Sequence, residues 1–202
     1  DNKLDHMIKV AAQAGFQSIE PMVLEISESA LGCGKYWLGD FCDPHRLKDA
    51  LQANNMELAG LALVCSWDND TETPAEKEAA EFTINLLKHF PGAKFGTVTL
   101  PSGRAKDLQR RRLNVARNVN AVSQRATDAG LVCSYHPNSP PASLVRTQED
   151  YDVVLSSLDS ESLVQQALDS GARGYLVKPF HPLDVQNLVR GVLEGHSGAS
   201  SS

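Results

Sequence analysis

No apolar run in this 202-residue chain approaches the ~20 residues that a membrane-crossing helix needs. Cysteine is scarce: Cys33, Cys42, Cys65 and Cys133 are the four, and none stands at a metal-ligand spacing. Cys65 and Cys133 lie in apolar runs, where a thiol packs as a small hydrophobe. Cys33 and Cys42 flank a glycine-rich loop, where a disulfide is the alternative to two thiols. Positive charge is in deficit as well. The net charge is −6 and the isoelectric point about 5.5, which gives no electrostatic reason to expect a nucleic-acid partner. The one dense basic run, Arg110-Arg111-Arg112 with Arg117 and Arg125, reads as the solvated face of a helix, with an anionic partner as the alternative. The chain has no GxGxxG, Walker A, HExxH or GxSxG motif. The segment GCGKYWLGD carries Gly-x-Gly-Lys without the rest of a phosphate loop, and reads as a loop after the first strand. The first residues are charged and helical in pattern, without the form of a signal peptide. The expected compartment is cytoplasmic (or a recombinant host), with neither membrane nor nucleic acid as partner.

What is present is ordinary globular composition, 42% hydrophobic and 22% charged, arranged with a period. Five chain breakers, Gly15, Asn55, Gly92, Gly130 and Gly171, recur at intervals of 37 to 41 residues. Each follows a stretch of helical periodicity and precedes a short apolar run, the order of a strand–helix repeat. The first helix faces inward with Leu4, Ile8 and Ala11-Ala12. Asp43-Pro44 opens a second, with Leu47, Ala50 and Leu51 inward. Thr73-Pro74 opens a third, with Ala79, Phe82, Leu86 and Leu87. Asp107 opens a fourth, carrying Leu113, Ala116, Val119, Val122 and Ala126. Two more are expected around Ser160–Leu168 and from His181-Pro182. Strands are expected at Ser18–Leu24, Glu57–Val64, Phe95–Leu100, Leu131–Tyr135 and Gly174–Val177. Val153-Val154-Leu155 fits either a sixth strand or a helix capped by Thr147. The helix uses the local residues more consistently, with Tyr151, Val154, Leu155 and Leu158 on one face.

The expected fold is therefore α/β: a parallel sheet of five or six βα units, either partly closed like a TIM barrel or open and flavodoxin-like. A barrel-like, sequential strand order is favoured. Residues 1–195 are expected to form a single domain, and 196–202 a disordered tail. A sheet short of strands leaves edges uncovered, so a homodimer through those edges is expected. Trp37 and Trp67 are read as packing against loops, with a place at a pocket mouth as the alternative.

Two stretches carry family resemblances. AGFQSIEPMV, LKDALQANNMELAGLAL, AGLVCSYHPN and RTQEDYDVVLSSLD come in an order that resembles the sugar phosphate isomerase/epimerase family, the xylose-isomerase-like TIM barrels, over residues 5–158. That resemblance implies a divalent metal such as Mn or Co at the C-terminal strand ends, with Glu20 and His136 as the matching ligand positions. The core ALDSGARGYLVKPF resembles the last third of a response-regulator receiver domain over about 156–195. It implies a phosphotransfer role for Lys178, with Ser156 or Ser157 as the switch hydroxyl and a cis bond before Pro179. The receiver's acidic strands are missing, so Lys178 has no phosphoacceptor partner, and the later metal ligands of the barrel are missing too. Taken together, the resemblances imply an engineered chimera of a barrel part (1–158) and a receiver part (159–195), without an intact active site and without cofactor. The alternatives are a metal-dependent sugar phosphate isomerase/epimerase-like enzyme and a receiver-like signalling module.

Overall fold

The computed structural model describes residues 3–24, 36–138 and 140–158. The C-terminal readings lie outside these residues: the helices at 160–168 and from 181, the strand at 174–177, Lys178 and Pro179. So does Cys33, and with it the disulfide alternative.

Among the described residues there are five helices and six short strands. Helix α1 spans Lys3–Gln13, α2 Pro44–Ala53, α3 Pro74–Leu87, α4 Leu108–Asp128 and α5 Gln148–Ser157. A 3₁₀ turn at Gly39–Cys42 leads into α2. The strands are β1 (Ser18–Ile19), β2 (Met22–Val23), β3 (Glu57–Leu58), β4 (Gly60–Cys65), β5 (Lys94–Thr99) and β6 (Cys133–His136). Every pairing is parallel: β1 with β3, and β2-β4-β5-β6 in one sheet. The strand order follows the chain order, as a barrel requires. No helix of the described residues is long and apolar enough to cross a membrane.

The two expected strands at 18–24 and 57–64 are each split, and the register explains why. Ile19 lies opposite Leu58, but Met22 lies opposite Ala62. The second strand thus carries one extra residue around Ala59, a bulge. Pro21 sits at the break in the first strand, where it has no N–H to give to a ladder. The ladder is bridged by carbonyls: Ala59 N donates to Ile19 O and Ala62 N to Pro21 O. Gly60 must be glycine, because a Cβ there would meet the Lys94 carbonyl oxygen at 2.6 Å.

Local signals set the helix ends. The Asp43 carboxylate accepts from His45 N, with Pro44 in the first turn. Thr73 and Glu76 form a reciprocal capping box at α3, and Thr147 and Asp150 one at α5. Residues 153–157 are helical, so the sixth-strand alternative, which the receiver reading needs, does not hold. Four of the five breakers are described, and all four take positive φ, including Asn55 at 52°. Asp107 is the exception among the caps: it precedes α4 in a left-handed conformation and makes no side-chain cap bond.

The core lies between the outer face of the sheet and the helices. Leu61, Leu63 and Phe95 point from the strands towards Ala79, Ala80 and Leu87 of α3 and Val115, Val119 and Val122 of α4, all of them buried. Each large side chain so buried contributes about 1.5–3 kcal/mol relative to exposure. Val154 and Leu158 join this core from α5, with Tyr151 and Leu155 packed beside them. Leu113, expected on the inner stripe of α4, is 41% exposed instead.

Candidate functional site

The basic run is a solvated face only in part: Arg110 and Arg117 are exposed, while Arg111 and Arg125 are partly buried and Arg112 is buried. Arg110, Arg111, Arg112 and Arg125 reach acidic residues that are 38 to 53 positions away in sequence, partners that no local pattern reveals. Arg111 grips the Asp68 carboxylate through Nε (3.0 Å) and Nη2 (2.6 Å), and also donates to the Ser102 hydroxyl and carbonyl. Arg110 and Asn114 donate to Asp70, and together they hold its carboxyl below the usual range. Arg125 makes a two-pronged pair with Glu72 at 2.7 and 2.6 Å. Asn118 donates to the Trp67 and Asn69 carbonyls. The loops after β4 and β5 are thereby fastened to α4 at the C-terminal end of the sheet.

On its other side α4 sends Arg112 into the interior. Arg112 and Arg104 both pair with Asp150, which is fully buried, and Arg146 N and Thr147 N donate to the same carboxylate. Burial lowers the affinity of Arg112 for its proton, with Arg104 adding repulsion. This cluster anchors the loop that follows β6.

Trp67 belongs to the scaffold, in line with the packing reading. It is fully buried at a φ of 59°, its indole N–H donates to Val98 O, and its backbone N–H donates to Glu76. Trp37 is half-buried, with the Lys3 ammonium 5.5 Å from its ring centroid.

The inner face of the sheet is different in character. Here Glu20, Ala62, Gly96, Ser134 and His136 line one cavity of about 320 Å³. The structure thus brings Glu20 and His136, which are 116 positions apart in the sequence, to one cavity. The register shows how. Met22, Ala62, Gly96 and Ser134 lie in one row across four strands, and His136 stands opposite Val98 one step nearer the C-terminal end. Glu20 precedes that row, and its carboxylate reaches over Gly96. A Cβ at position 96 would sit 3.1 Å from Glu20 Oε1 and 3.4 Å from Ser134 Oγ. Gly96 therefore opens the floor on which the carboxylate rests. The sequence reading puts Glu20 at a C-terminal strand end. In the structure Glu20 directly follows β1, in the break before β2. Ser134 and Gly96 escaped sequence reading, although the alternation of Ser134 with His136 along β6 already puts both on one face.

Behind the cavity, Tyr135 turns to the opposite side and shares a 3.0 Å hydrogen bond with Thr99. Burial pushes its phenol up to about 12. The Cys133 thiol is also raised by burial.

Among the described residues no three His, Cys, Asp or Glu side chains are grouped to hold a metal ion. Glu20 and His136 are two donors, and a hard divalent cation takes six or so. Asp68, the nearest acidic residue at a strand end in sequence, is committed to Arg111. The described donor set does not fit a resident metal.

No protein-family model and no curated protein matches this sequence. Solved structures do resemble it. One is the D-psicose 3-epimerase of Clostridium cellulolyticum H10 with D-tagatose, at 18% identity and a TM-score of 0.51, over 79% of this chain and 55% of that one. Another is the probable 3-DHS dehydratase AsbF of Bacillus anthracis, involved in petrobactin synthesis, at 16% and 0.57, over 92% and 64%. A third is a xylose isomerase domain protein of Alicyclobacillus acidocaldarius, at 13% and 0.50, over 76% and 56%. Identities this low show the fold alone. It is a parallel α/β, TIM-barrel-like architecture, and the chain spans 55 to 64% of the length of these neighbours. The likenesses support the barrel part of the sequence reading and give none to a receiver domain or a fusion.

Proposed function

We propose that this chain is a carbohydrate isomerase/epimerase-like barrel whose reaction is proton transfer at a carbon next to a carbonyl. The observation that carries the reading is the shared cavity of Glu20, Ser134 and His136 on the inner sheet face. Glu20 is the base. Its carboxylate takes the proton from the hydroxyl-bearing carbon, and the electron pair moves into an enediolate whose oxygen accepts hydrogen bonds from Ser134 and His136. Delivery of a proton from His136 to the opposite face of the same carbon, with Glu20 keeping the one it took, gives an epimer. Return of the Glu20 proton to the former carbonyl carbon, with the hydroxyl proton of the enediolate passing to its other oxygen, gives an isomer. The cavity volume suits a monosaccharide-sized substrate, and the epimerase neighbour makes a D-ketohexose the first probe. No step is assigned to a metal, because the described residues do not supply its ligands.

The test is hydrogen exchange. A D-ketohexose incubated with the protein in deuterium oxide is followed by proton NMR at the carbons flanking the carbonyl. Deuterium should enter with the wild-type protein and fail to enter with Glu20→Gln, while the thermal melts of the two agree. No exchange with the wild type, or equal exchange with the variant, would refute the reading. The scaffold alternative predicts no exchange in either case.

A further inference from the structure

A cavity of about 920 Å³ lies at the opposite end of the sheet from His136. Its floor is the strand starts: Ser18, Glu57 and Lys94. One wall is a face of α2 and the turn after it, where Lys48, Gln52 and Asn55 follow each other at helical spacing. The other wall is the turn from α3 into β5, with His89 and Phe90. In a protein of net charge −6, this cleft is lined by Lys48, Lys94 and His89 and by the carboxylate of Glu57. Neither lysine makes an ion pair or side-chain hydrogen bond within the described residues. By contrast, Arg104, Arg110, Arg111, Arg112 and Arg125 are each committed to a carboxylate. The position of Lys94 is fixed from behind, since its carbonyl is in close approach to Gly60 and its N–H donates to Ala59 O.

We infer that this cleft is a second ligand site, for a small phosphorylated, hydroxyl-bearing metabolite. Two ammonium groups and an imidazole lining one cleft suit a phosphate dianion. Glu57 repels the phosphate but accepts from ligand hydroxyls. The amides of Gln52 and Asn55 both donate and accept, and Phe90 offers an apolar wall. The volume is within the range of small-molecule sites. The cleft opens at the strand starts and shares no lining residue with the cavity of Glu20 and His136, so its ligand acts as an effector and not as the substrate.

Calorimetric titration with ribose 5-phosphate, with inorganic phosphate and with unphosphorylated ribose tests this. Ribose 5-phosphate should bind saturably, inorganic phosphate more weakly, and ribose not at all. The double variant Lys48→Ala/Lys94→Ala should weaken ribose 5-phosphate at least about tenfold with an unchanged thermal melt, and Lys94→Arg should retain most of the affinity. His136→Ala should leave binding as it is. No saturation by about 10 mM, a Kd that corresponds to less than 3 kcal/mol of binding, would overturn the inference. So would affinity that survives the double variant. Affinity lost with His136→Ala would place the phosphate compound in the inner-face cavity and overturn it as well. None of these outcomes depends on hydrogen exchange by Glu20.

Discussion

Replacing Asp150 with alanine should be the most damaging single change to stability. The carboxylate is fully buried and accepts from four groups: Arg104 at 2.6 and 3.2 Å, Arg112, Arg146 N at 2.9 Å and Thr147 N at 2.8 Å. Alanine removes all of these acceptors at once. Arg104, with a quarter of its side chain exposed, can turn towards water, but the Arg112 side chain is only 6% exposed and cannot. Leaving one buried charge without its partner costs about 3–5 kcal/mol. The lost cap at α5 adds about 1 kcal/mol, part of which is the same loss. A net destabilisation of about 4 kcal/mol is expected, a large share of the roughly 5–15 kcal/mol that holds a typical domain together. Urea unfolding followed by the fluorescence of buried Trp67 gives the number. The paired variant Arg112→Met/Asp150→Leu removes both charges and should recover at least half of the loss. A loss below about 1 kcal/mol for Asp150→Ala, against the buried-pair figure, would show that the cluster does not anchor the loop.

Leu155→Pro places a proline inside α5, removing a helical N–H and crowding the preceding turn, and should cost about 3 kcal/mol or more in the same assay. Gly96→Ala should abolish deuterium exchange with at most about 1 kcal/mol of destabilisation, the scale of a small backbone or packing change, because its Cβ displaces the Glu20 carboxylate. Tyr135 should make the fold sensitive to alkali. Its folded pKa is about 12 against 10.0 for the free phenol, so the unfolded chain loses this proton first. Stability is full below pH 10 and falls between pH 10 and pH 12, by on the order of 3 kcal/mol for the two units. Tyr135→Phe should flatten that part of the stability–pH curve, and an unchanged slope would contradict the assignment.

Much of this fold is legible in the sequence because its signals are local. Thr73 and Glu76, or Thr147 and Asp150, are three residues apart, so a capping box can be read directly. Gly15, Asn55, Gly92 and Gly130 mark helix ends by the backbone conformation they tolerate. The same locality explains the failures. Nothing near Arg111 or Arg125 indicates that Asp68 and Glu72 will meet them, so an ion-paired framework reads as a solvated face. Asp107 has the composition of a cap but takes a left-handed conformation in which its side chain cannot act as one. The bulge at Ala59 is a property of two strands in register and is invisible in either alone. For the site, Glu20 and His136 were found through motif order. Ser134 and Gly96 carry no motif and acquire meaning only through the row that parallel pairing creates.

The account rests on Glu20 and His136 facing a common substrate on the inner face of a sequentially ordered sheet. A crystal structure of the protein soaked with a D-ketohexose tests this most directly. The expected result is a sugar over Gly96, with hydroxyl or carbonyl oxygens within hydrogen-bond distance of the Glu20 carboxylate, Ser134 Oγ and the His136 imidazole. A sugar bound elsewhere, or a sheet in which the 18–23 segment does not pair with 57–65, would contradict it.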